Sequence, residues 1–251
     1  MTNASRIYLQ TIYNRFSLLG TWMPNSTVAL GDVGVLEGGL FKHLTSLKSL
    51  GIPFKVRPGA SAVDFALTSE SGVEMQTKSG AELSPSAAPL AADIGLSIQF
   101  SREGGFVFQA VDCFVDEVDD KVRMGRAIVE LYRVGKWEKQ WGVVDTLVRT
   151  GAATIVVSNS SKATLELSAN VPIQASCLAR ANSGLTVKSQ SGDIVRFITQ
   201  QGLTPLFRLS RVKPSMFEKV FGGGGRIRFG GAASDNSSST YESFFDSVNP
   251  D

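Results

Sequence analysis

Histidine and cysteine are scarce in this chain of 251 residues, which has one histidine, His43, and two cysteines, Cys113 and Cys177. A single histidine excludes metal sites built from several histidines, and it excludes the HExxH motif. A catalytic triad or dyad could use only His43, which has no nucleophile motif beside it. The cysteines show neither CxxC spacing nor a disulfide framework. We therefore expect buried free thiols and a reduced, cytoplasmic setting.

Long apolar runs and a strong charge excess are also missing. No stretch reaches the roughly 18 apolar residues of a membrane-crossing helix, and residues 1–6 lack the basic and apolar regions of a secretory signal. The formal net charge is +2, and no basic run is interleaved with aromatic residues. Because the net charge is close to zero and no such run is present, we expect no nucleic-acid partner.

Two local patterns could carry chemistry. Leu30–Gly34 is rich in glycine but is neither GxGxxG nor a P-loop, and it is predicted to be a bend in a strand. A group of carboxylates surrounds a predicted junction between a strand and a helix: Asp112, Asp116, Glu117, Asp119 and Asp120. Such groups are usually solvated edges and helix-start charges, although a divalent cation site or a glycosidase pair stays open. We expect no catalysis and no cofactor.

The hydrophobic pattern predicts an α+β fold. A helix is predicted over Ser5–Leu19 with Ser5 as its cap, a short one through Leu40, Leu44, Leu47 and Leu50, and a third over Asp119–Val134. The rest alternates with period two, which is typical of strands. We predict a mixed, largely antiparallel twisted sheet with about three helices and extensible hairpins.

Four pairs of alternating segments are each separated by a short polar stretch, and the sequence predicts a hairpin at each one. The turns are centred on residues 69–72, 102–105, 159–162 and 191–192. Residues 148–158 and 163–171 approach the about 9–11 residues that cross a bilayer, and residues 60–69 and 73–78 do so if somewhat extended. A closed sheet of such hairpins from many copies would satisfy every backbone group in lipid, whereas a soluble sheet packed on its own core shows the same alternation. The candidate membrane-inserting residues are Val63, Phe65, Leu67, Val73, Met75, Ile155, Val157, Leu165 and Leu167.

The C-terminal part differs in composition from the rest. Gly222–Gly225 reads as a flexible linker, so we divide the chain into a body of residues 1–221 and a tail of residues 222–251. Arg226 and Arg228 are candidate protease sites within this linker. The aromatic residues further on are candidates for docking the tail on the body as an inhibitor: Tyr241, Phe244 and Phe245.

Removal of the tail would change the charge of the body. Residues 229–251 contain four acidic residues and no lysine or arginine, so a cut after Arg228 takes the formal charge from +2 to +6. Such a change favours anionic partners such as a membrane surface. The first predicted helix could contact that surface through Arg6, Arg15 and Phe16, or it could simply pack on the core.

In organisation, the chain resembles the bacterial and fungal gasdermins. The features that carry the resemblance are the helix Ser5–Leu19, the amphipathic strand pairs around Glu70 and Ser160, and the Gly222–Gly231 linker followed by a capping tail. The resemblance implies a latent pore-forming domain that is cytoplasmic until a protease removes the tail. It further implies a homo-oligomer in anionic lipid at the inner face of the cell membrane.

Two other functions remain open on the sequence. The chain could be a non-catalytic interaction or assembly module whose edge strands recruit a partner and whose tail is a tether. It could also be an enzyme that uses the carboxylates of residues 112–120.

Overall fold

A computed structural model describes residues 2–23, 26–78, 94–169, 178–179, 185–213 and 245–250. Within these residues the fold is α+β with largely antiparallel sheets, as predicted. They contain two α-helices rather than about three, α1 (Asn3–Phe16) and α2 (Lys121–Arg133). The predicted helix over residues 40–50 is the error.

Four long strands form the body, and each consists of consecutive segments. The first contains β4 (Val56–Arg57), β5 (Val63–Thr68) and β6 (Val73–Lys78); the second contains β7 (Ile94–Phe100) and β8 (Phe106–Val118); the third contains β9 (Gly142–Arg149), β10 (Ala152–Ser158) and β11 (Ala163–Ala169); the fourth contains β12 (Thr186–Ser191), β13 (Ile194–Gln201) and β14 (Leu206–Val212). The short strands outside them are β1 (Leu19–Gly20), β2 (Asp32–Glu37), β3 (Leu40–Ser46) and β15 (Phe245–Ser247).

The long strands lie side by side in chain order, each antiparallel to the next. The first pairs with the second, the second with the third, and the third with the fourth. The chain reverses between residues 78 and 94 and again between residues 169 and 186, at the same end of the sheet. The body therefore contains two long hairpins, joined at the opposite end through α2.

The four predicted turns are not hairpin turns. The segments on either side of each do not pair with one another: β5 pairs with β8 and β6 with β7, while β10 pairs with β8 and β13 and β11 with β7 and β12. Each polar stretch is instead a bend within one long strand, and the four bends lie at the same level of the sheet. They divide it into a four-stranded lower sheet (β6, β7, β11 and β12) and an upper sheet that contains the remaining strands.

Residues 40–46 form a strand because of the turn that precedes them. Gly38 and Gly39 have φ values of 55° and 76° and link Glu37 to its partner Leu40. Two glycines with positive φ make the two-residue turn that best fits a β-hairpin. The Leu40, Leu44, Leu47 and Leu50 spacing is therefore misleading: Leu44 is 49% exposed, whereas Leu47, beyond the strand, is fully buried.

The helices start at polar caps and cover different parts of the upper sheet. The amide of Ser5 donates to Thr2 Oγ1 (3.3 Å), so Thr2 caps α1 and the predicted cap, Ser5, lies within the helix. The amide of Arg123 donates to Asp120 Oδ1 (2.8 Å) at the start of α2, which confirms the third predicted helix. Met124, Ile128 and Val129 of α2 pack against β2, β8, β9 and β14.

Apolar cores lie on both faces of the upper sheet. On one face α1 packs Ala4, Tyr8, Leu9 and Ile12 against a set of strand residues: Phe106, Phe108, Ala110, Ala153, Ile155 and Val157. On the other face Val107, Val156 and Ile194 share a core with the lower sheet. The two sheets thus pack together because the long strands bend.

Tyr8 provides a test of the first core. Its side chain is fully buried, its hydroxyl has no hydrogen-bond partner, and burial raises its pKa well above the ordinary value. A buried unpaired hydroxyl costs roughly 1–3 kcal/mol. We expect Tyr8→Phe to raise the free energy of unfolding by about 1 kcal/mol, and Tyr8→Ala to lower it by about 3–5 kcal/mol. Urea denaturation followed by circular dichroism measures both, and a destabilised Tyr8→Phe variant would contradict this packing.

Candidate functional site

The second and third long strands keep one register through the bend. Val157 lies opposite Phe106 above the bend, and Ala163 lies opposite Phe100 below it. Five residues of each strand, 101–105 and 158–162, therefore lie between these pairs. The ladder persists there, since the amide of Gly104 donates to the carbonyl of Ser158 (2.8 Å) and the amide of Ser158 to that of Gly105 (2.9 Å). The two strands are a single ribbon that is bent and not broken.

The outer strands follow the same bend. The amide of Ser101 donates to the carbonyl of Gly72 (2.9 Å), and the amide of Asn159 donates to that of Asp193 (2.9 Å). Gly72 and Gly192 have φ values of 81° and 76°, in the left-handed region that glycine adopts without strain. Polar side chains and these glycines allow all four strands to turn together.

The lower sheet has one apolar and one polar face. Its apolar rows run across the strands as Val73, Phe100 and Ala163, then Met75, Ile98 and Leu165, then Leu96, Leu167 and Val187. Its polar rows are Glu74, Gln99, Thr164 and Ser191, then Gln76, Ser97, Glu166 and Ser189. The first polar row borders an open cavity of about 540 Å³, to which Lys162 also contributes.

Apolar residues keep the same parity along each strand on both sides of the bend. Odd-numbered residues carry the apolar face in the first and third strands, and even-numbered residues carry it in the second. Above the bend these residues join the core beneath α1: Phe65, Leu67, Phe106, Phe108, Ala110, Ala153, Ile155 and Val157. Below it they join the core between the sheets: Val73, Met75, Leu96, Ile98, Phe100, Ala163, Leu165 and Leu167. If the strands were straight, these residues would form one continuous apolar face; in the bent structure they enter two separate cores.

The candidate membrane-inserting residues all lie on this face, on the first and third long strands. Ile155, Val157, Leu165 and Leu167 are buried, and Val63 is 41% exposed. The others are partly buried against the same two cores: Phe65, Leu67, Val73 and Met75. Their partners on the second strand, with Phe100 and Phe108 foremost, were missed as candidates, although residues 94–110 show the same alternation.

An ion pair fixes the upper end of the long strands. Arg149 of the third strand donates two hydrogen bonds to the carboxylate of Asp116 on the second, with Nη2 3.1 Å from Oδ1. The amide of Gly59, from the first strand, donates to the same Oδ1 (3.1 Å). The hydrogen bonds from Arg149 hold the pKa of Asp116 below its ordinary value. One carboxylate thereby ties three strands together far from the bend.

The C-terminal residues dock on the edge of the fourth long strand. Strand β15 pairs antiparallel with β14, with Ser247 opposite Ser210, and the amide of Val248 donates to the carbonyl of Leu209 (2.9 Å). The side chain of Val248 packs on a core that contains Leu19 and Phe207.

Two polar contacts add to this docking. The hydroxyl of Tyr13 on α1 donates to Asn249 Oδ1, and Lys213 lies 3.7 Å from Asp246. The tail therefore links the fourth strand to the first helix.

The tail residues named from the sequence are only partly described. Phe245 lies in β15 with its backbone opposite Val212, whereas Tyr241, Phe244, Arg226 and Arg228 lie outside the described residues. Among the described residues, the docking side chains are those of Val248 and Asn249, which the sequence reasoning missed. A lone valine among Asp, Ser and Asn offers too little local pattern to be found.

The first helix faces the core with its apolar side. Phe16 packs edge-on against Phe65 and tilts against Phe108, while Arg6 and Arg15 are exposed. The amphipathic pattern of α1 is therefore used for core packing in this state, and the two arginines are accessible.

The carboxylates considered as an alternative site are distributed over separate contacts. Asp119 pairs with Arg57 (3.1 Å), Asp120 caps α2, and Asp116 binds Arg149. Among the described residues, no group of three or more His, Cys, Asp or Glu side chains could hold a metal ion. Burial, followed by the charges of Asp64 and Asp112, raises the pKa of Cys113 to about 12.

His43 also occupies a different element from the one predicted. It lies on β3, not on a helix, and is 3.6 Å from Asp32.

Comparison with known proteins assigns no family. No family model matches the chain, and a search of curated proteins also finds no match. No helix in the described part of the chain is long and apolar enough to cross a membrane.

The ion pair at the upper end makes stability depend on pH. Because the folded pKa of Asp116 is lowered, its contribution is present above the ordinary pKa of about 3.9 and is lost as the pH falls through the folded value. We expect Asp116→Asn to lower the free energy of unfolding by about 1 kcal/mol at pH 7, since Arg149 is half-exposed. This difference should shrink below about pH 4.

Asp119→Asn is the matched control for Asp116→Asn, because it removes an ion pair in which both side chains are exposed. It should change the free energy of unfolding by less than about 0.5 kcal/mol. Urea titrations between pH 3 and pH 7 measure both variants. Equal effects of the two substitutions would contradict the role given to Asp116.

In the described part of the tail, Val248 supplies the apolar contact with the body. Val248→Asp places a charge against the core around Phe207, so the tail should detach in the intact chain. We expect exchange of the residue-248 amide to accelerate at least about tenfold in hydrogen-exchange mass spectrometry. Ser247→Asp adds the same charge at an exposed position and should leave exchange unchanged. Equal exchange in both variants would refute this docking.

Proposed function

We propose that this protein is a latent membrane pore-forming protein of a cell-death or defence system, activated when a protease removes the C-terminal tail. The observation that carries the proposal is the single apolar face that continues across the bend in three of the four long strands. In a soluble protein, the apolar residues of a long strand need not keep the same parity above and below the bend, because the upper and lower sheets pack into different cores. In a membrane-inserted sheet a common parity is required.

Straightening of the bends would produce strands of the right length. In the second and third long strands, residues 94–106 and 157–169 would then run without interruption in their existing register. Each is longer than the about 9–11 residues that span the bilayer core. Ser97, Gln99, Thr164 and Glu166 would form the opposite, water-facing side. No change of strand partners is needed.

Burial keeps the bend closed in water. Exposing each large apolar side chain of the lower sheet to water costs about 1.5–3 kcal/mol. The residues concerned include Leu96, Ile98, Phe100, Leu165 and Leu167. Lipid removes this cost because acyl chains replace the protein contacts. The free energy of unbending is therefore strongly unfavourable in solution and is offset only at a membrane.

The docked tail supports the role of a latch rather than a tether. A few backbone hydrogen bonds and one partly buried valine are worth on the order of 4 kcal/mol, which corresponds to a dissociation constant near 1 mM. Covalent attachment gives the tail an effective concentration at its docking site that is also about 1 mM. The tail therefore stays bound while the chain is intact and leaves once it is cut.

Electrostatics then favours anionic lipid. The body without residues 229–251 has a formal charge of +6, and each basic residue near an anionic surface adds about 1 kcal/mol. Arg6 and Arg15 are exposed on α1, the helix that the tail contacts through Tyr13.

The test uses the full chain with a recognition sequence for a specific protease inserted directly after Arg228, so that cutting leaves Arg226 and Arg228 on the body. After cutting, the protein should release dye from anionic liposomes, and the uncut protein should not. Met75→Asp interrupts the apolar face and should abolish release, because a charge in the bilayer core is costly. Gln76→Asp is the matched control on the polar face and should retain release.

Two results would decide against a pore. Cut protein that releases no dye would refute the proposal directly. Assembly of the uncut chain, combined with harmless expression of the truncated one, would favour the alternative of an interaction module with a tethering tail.

A further inference from the structure

The first long strand uses fewer residues to cross the bend than the strand beside it. Thr68 pairs with Val107 above the bend, and Val73 pairs with Phe100 below it. Four residues of the first strand therefore lie opposite six residues of the second. In a straight sheet with a single register, the first strand would be two residues too short to keep both sets of partners.

The fourth long strand shows the same difference. Ser158 pairs with Ile194 above the bend, and Leu167 pairs with Val187 below it. Eight residues of the third strand therefore lie opposite six residues of the fourth. The second and third strands, in contrast, place five residues each between their pairs on the two sides of the bend. The inner ribbon can straighten in its present register, and the two outer strands cannot.

The upper half of each outer strand is anchored. On the first strand, the amide of Gly59 donates to Asp116, and Arg57 donates to Asp119. On the fourth strand, β14 is paired with β9 on one side and with β1 and β15 on the other. Within the described part of the chain, the lower halves β6 and β12 have one partner strand each. Straightening therefore has to move β6 and β12 toward the bend.

A movement of two residues preserves the apolar face of the first strand. It takes Met75 from its present partner Ile98 to Phe100, and it takes Thr77 from Leu96 to Ile98. Side chains alternate between the faces of a strand, so an even slip leaves each one on its present face. Apolar residues therefore meet apolar residues in the new register as well.

The fourth strand gains matched apolar partners from the same movement. Val187 moves from Leu167 to Leu165, and Leu185 comes to lie opposite Leu167. The irregularity that now interrupts the pairing between Glu166 and Leu167 is no longer needed. All six residues of β12 are exposed, and a strand with so little buried surface specifies its register weakly.

We infer that the first and fourth long strands each slip by two residues along the inner ribbon when the sheet straightens. The inference rests on the proposed function and deepens it, because it identifies a movement that straightening requires. The slip breaks and remakes the backbone ladders between β6 and β7 and between β11 and β12. These ladders oppose straightening in addition to the burial of the apolar side chains.

Cysteine pairs report the register of the first strand. All variants are made in the protease-cleavable full chain and share Gln99→Cys on the second strand. Glu74→Cys lies opposite residue 99 in the present register, and Gln76→Cys lies opposite it after the slip. All three positions are exposed. Residues 76 and 99 are now diagonal neighbours, with Cα atoms about 7–8 Å apart, which is too far for an unstrained disulfide.

The preferred disulfide should change when the protein inserts. In uncut protein the 74–99 disulfide should form at least about tenfold faster than the 76–99 disulfide, and after cutting on anionic liposomes this preference should reverse. Electrophoresis without reductant and peptide mass spectrometry measure both. Single-cysteine variants control for the native thiols of Cys113 and Cys177. Parent protein that releases dye while the preference stays unchanged would overturn the inference.

A disulfide formed before cutting tests whether the slip is required. The 74–99 disulfide fixes the present register, so dye release should be lost until the disulfide is reduced. The matched control is Thr164→Cys with Gln99→Cys, which joins the second and third strands at a pair that straightening leaves unchanged. This control should release dye in both redox states. Equal release by the two oxidised proteins would overturn the inference.

The fourth strand gives an independent measurement of the same movement. With Thr164→Cys held constant, Ser191→Cys lies opposite residue 164 in the present register, and Lys188→Cys lies opposite it after the slip. Uncut protein should favour the 164–191 disulfide, and inserted protein should favour the 164–188 disulfide. A preference that does not reverse in dye-releasing protein would overturn the inference for this strand.

Failure of the slip and failure of the proposed function give different results. A reversal of the disulfide preference without dye release would refute the pore and leave the slip intact. Dye release from protein locked by the 74–99 disulfide would refute the slip and leave the pore intact. Cut parent protein that shows neither reversal nor dye release would refute both.

Discussion

The backbone ladder between the second and third long strands is the constraint on which the rest of the structure depends. It runs in a single register from Glu117 and Thr146 at one end to Ile94 and Ala169 at the other, through the bend. Because the register never slips, the side chains of paired residues share a face. The parity of the apolar residues is constant over 94–110 and 153–169 and changes at Asp112, whose φ is 52°; beyond it Cys113, Val115 and Val148 contribute to the core beneath α1. The apolar face, the polar face and the fold-back of the lower sheet all follow from this ribbon.

The bend turns one amphipathic surface into two cores. Tyr8 and Ile12 cover the upper part of the surface, and Val107, Val156 and Ile194 cover the lower part from the other side of the sheet. Under the proposed function, stability in water and insertion into lipid would depend on the same side chains. Under this proposal, burial of these apolar side chains stabilises the bent form in water. Insertion into lipid would use the same side chains in place of a separate set.

The tail and the sheet edges act on the same region. Val248 and β15 cover the outer side of the fourth long strand, and Asn249 accepts a hydrogen bond from Tyr13 on α1. Loss of this short segment would free a strand edge and change the charge of the body at once. Under the proposed function, a weak contact would be sufficient for a latch, because covalent attachment raises the local concentration of the tail.

The sequence by itself determined most segments of the long strands, the helices α1 and α2, and the apolar alternation, since alternation at Leu96, Ile98, Phe100, Leu165 and Leu167 is a local property of the chain. It could not distinguish a bend from a reversal. A glycine with positive φ and its polar neighbours at residues 69–72 are compatible with a bend within one strand and with a hairpin turn between two strands. Only the pairing of β5 with β8 and of β6 with β7 shows that the segment is a bend. The leucine spacing at residues 40–50 failed for a related reason, because Gly38 and Gly39 impose a hairpin that overrides helical periodicity. The docking of Val248 also belongs to the tertiary structure, since it joins residues far apart in the chain.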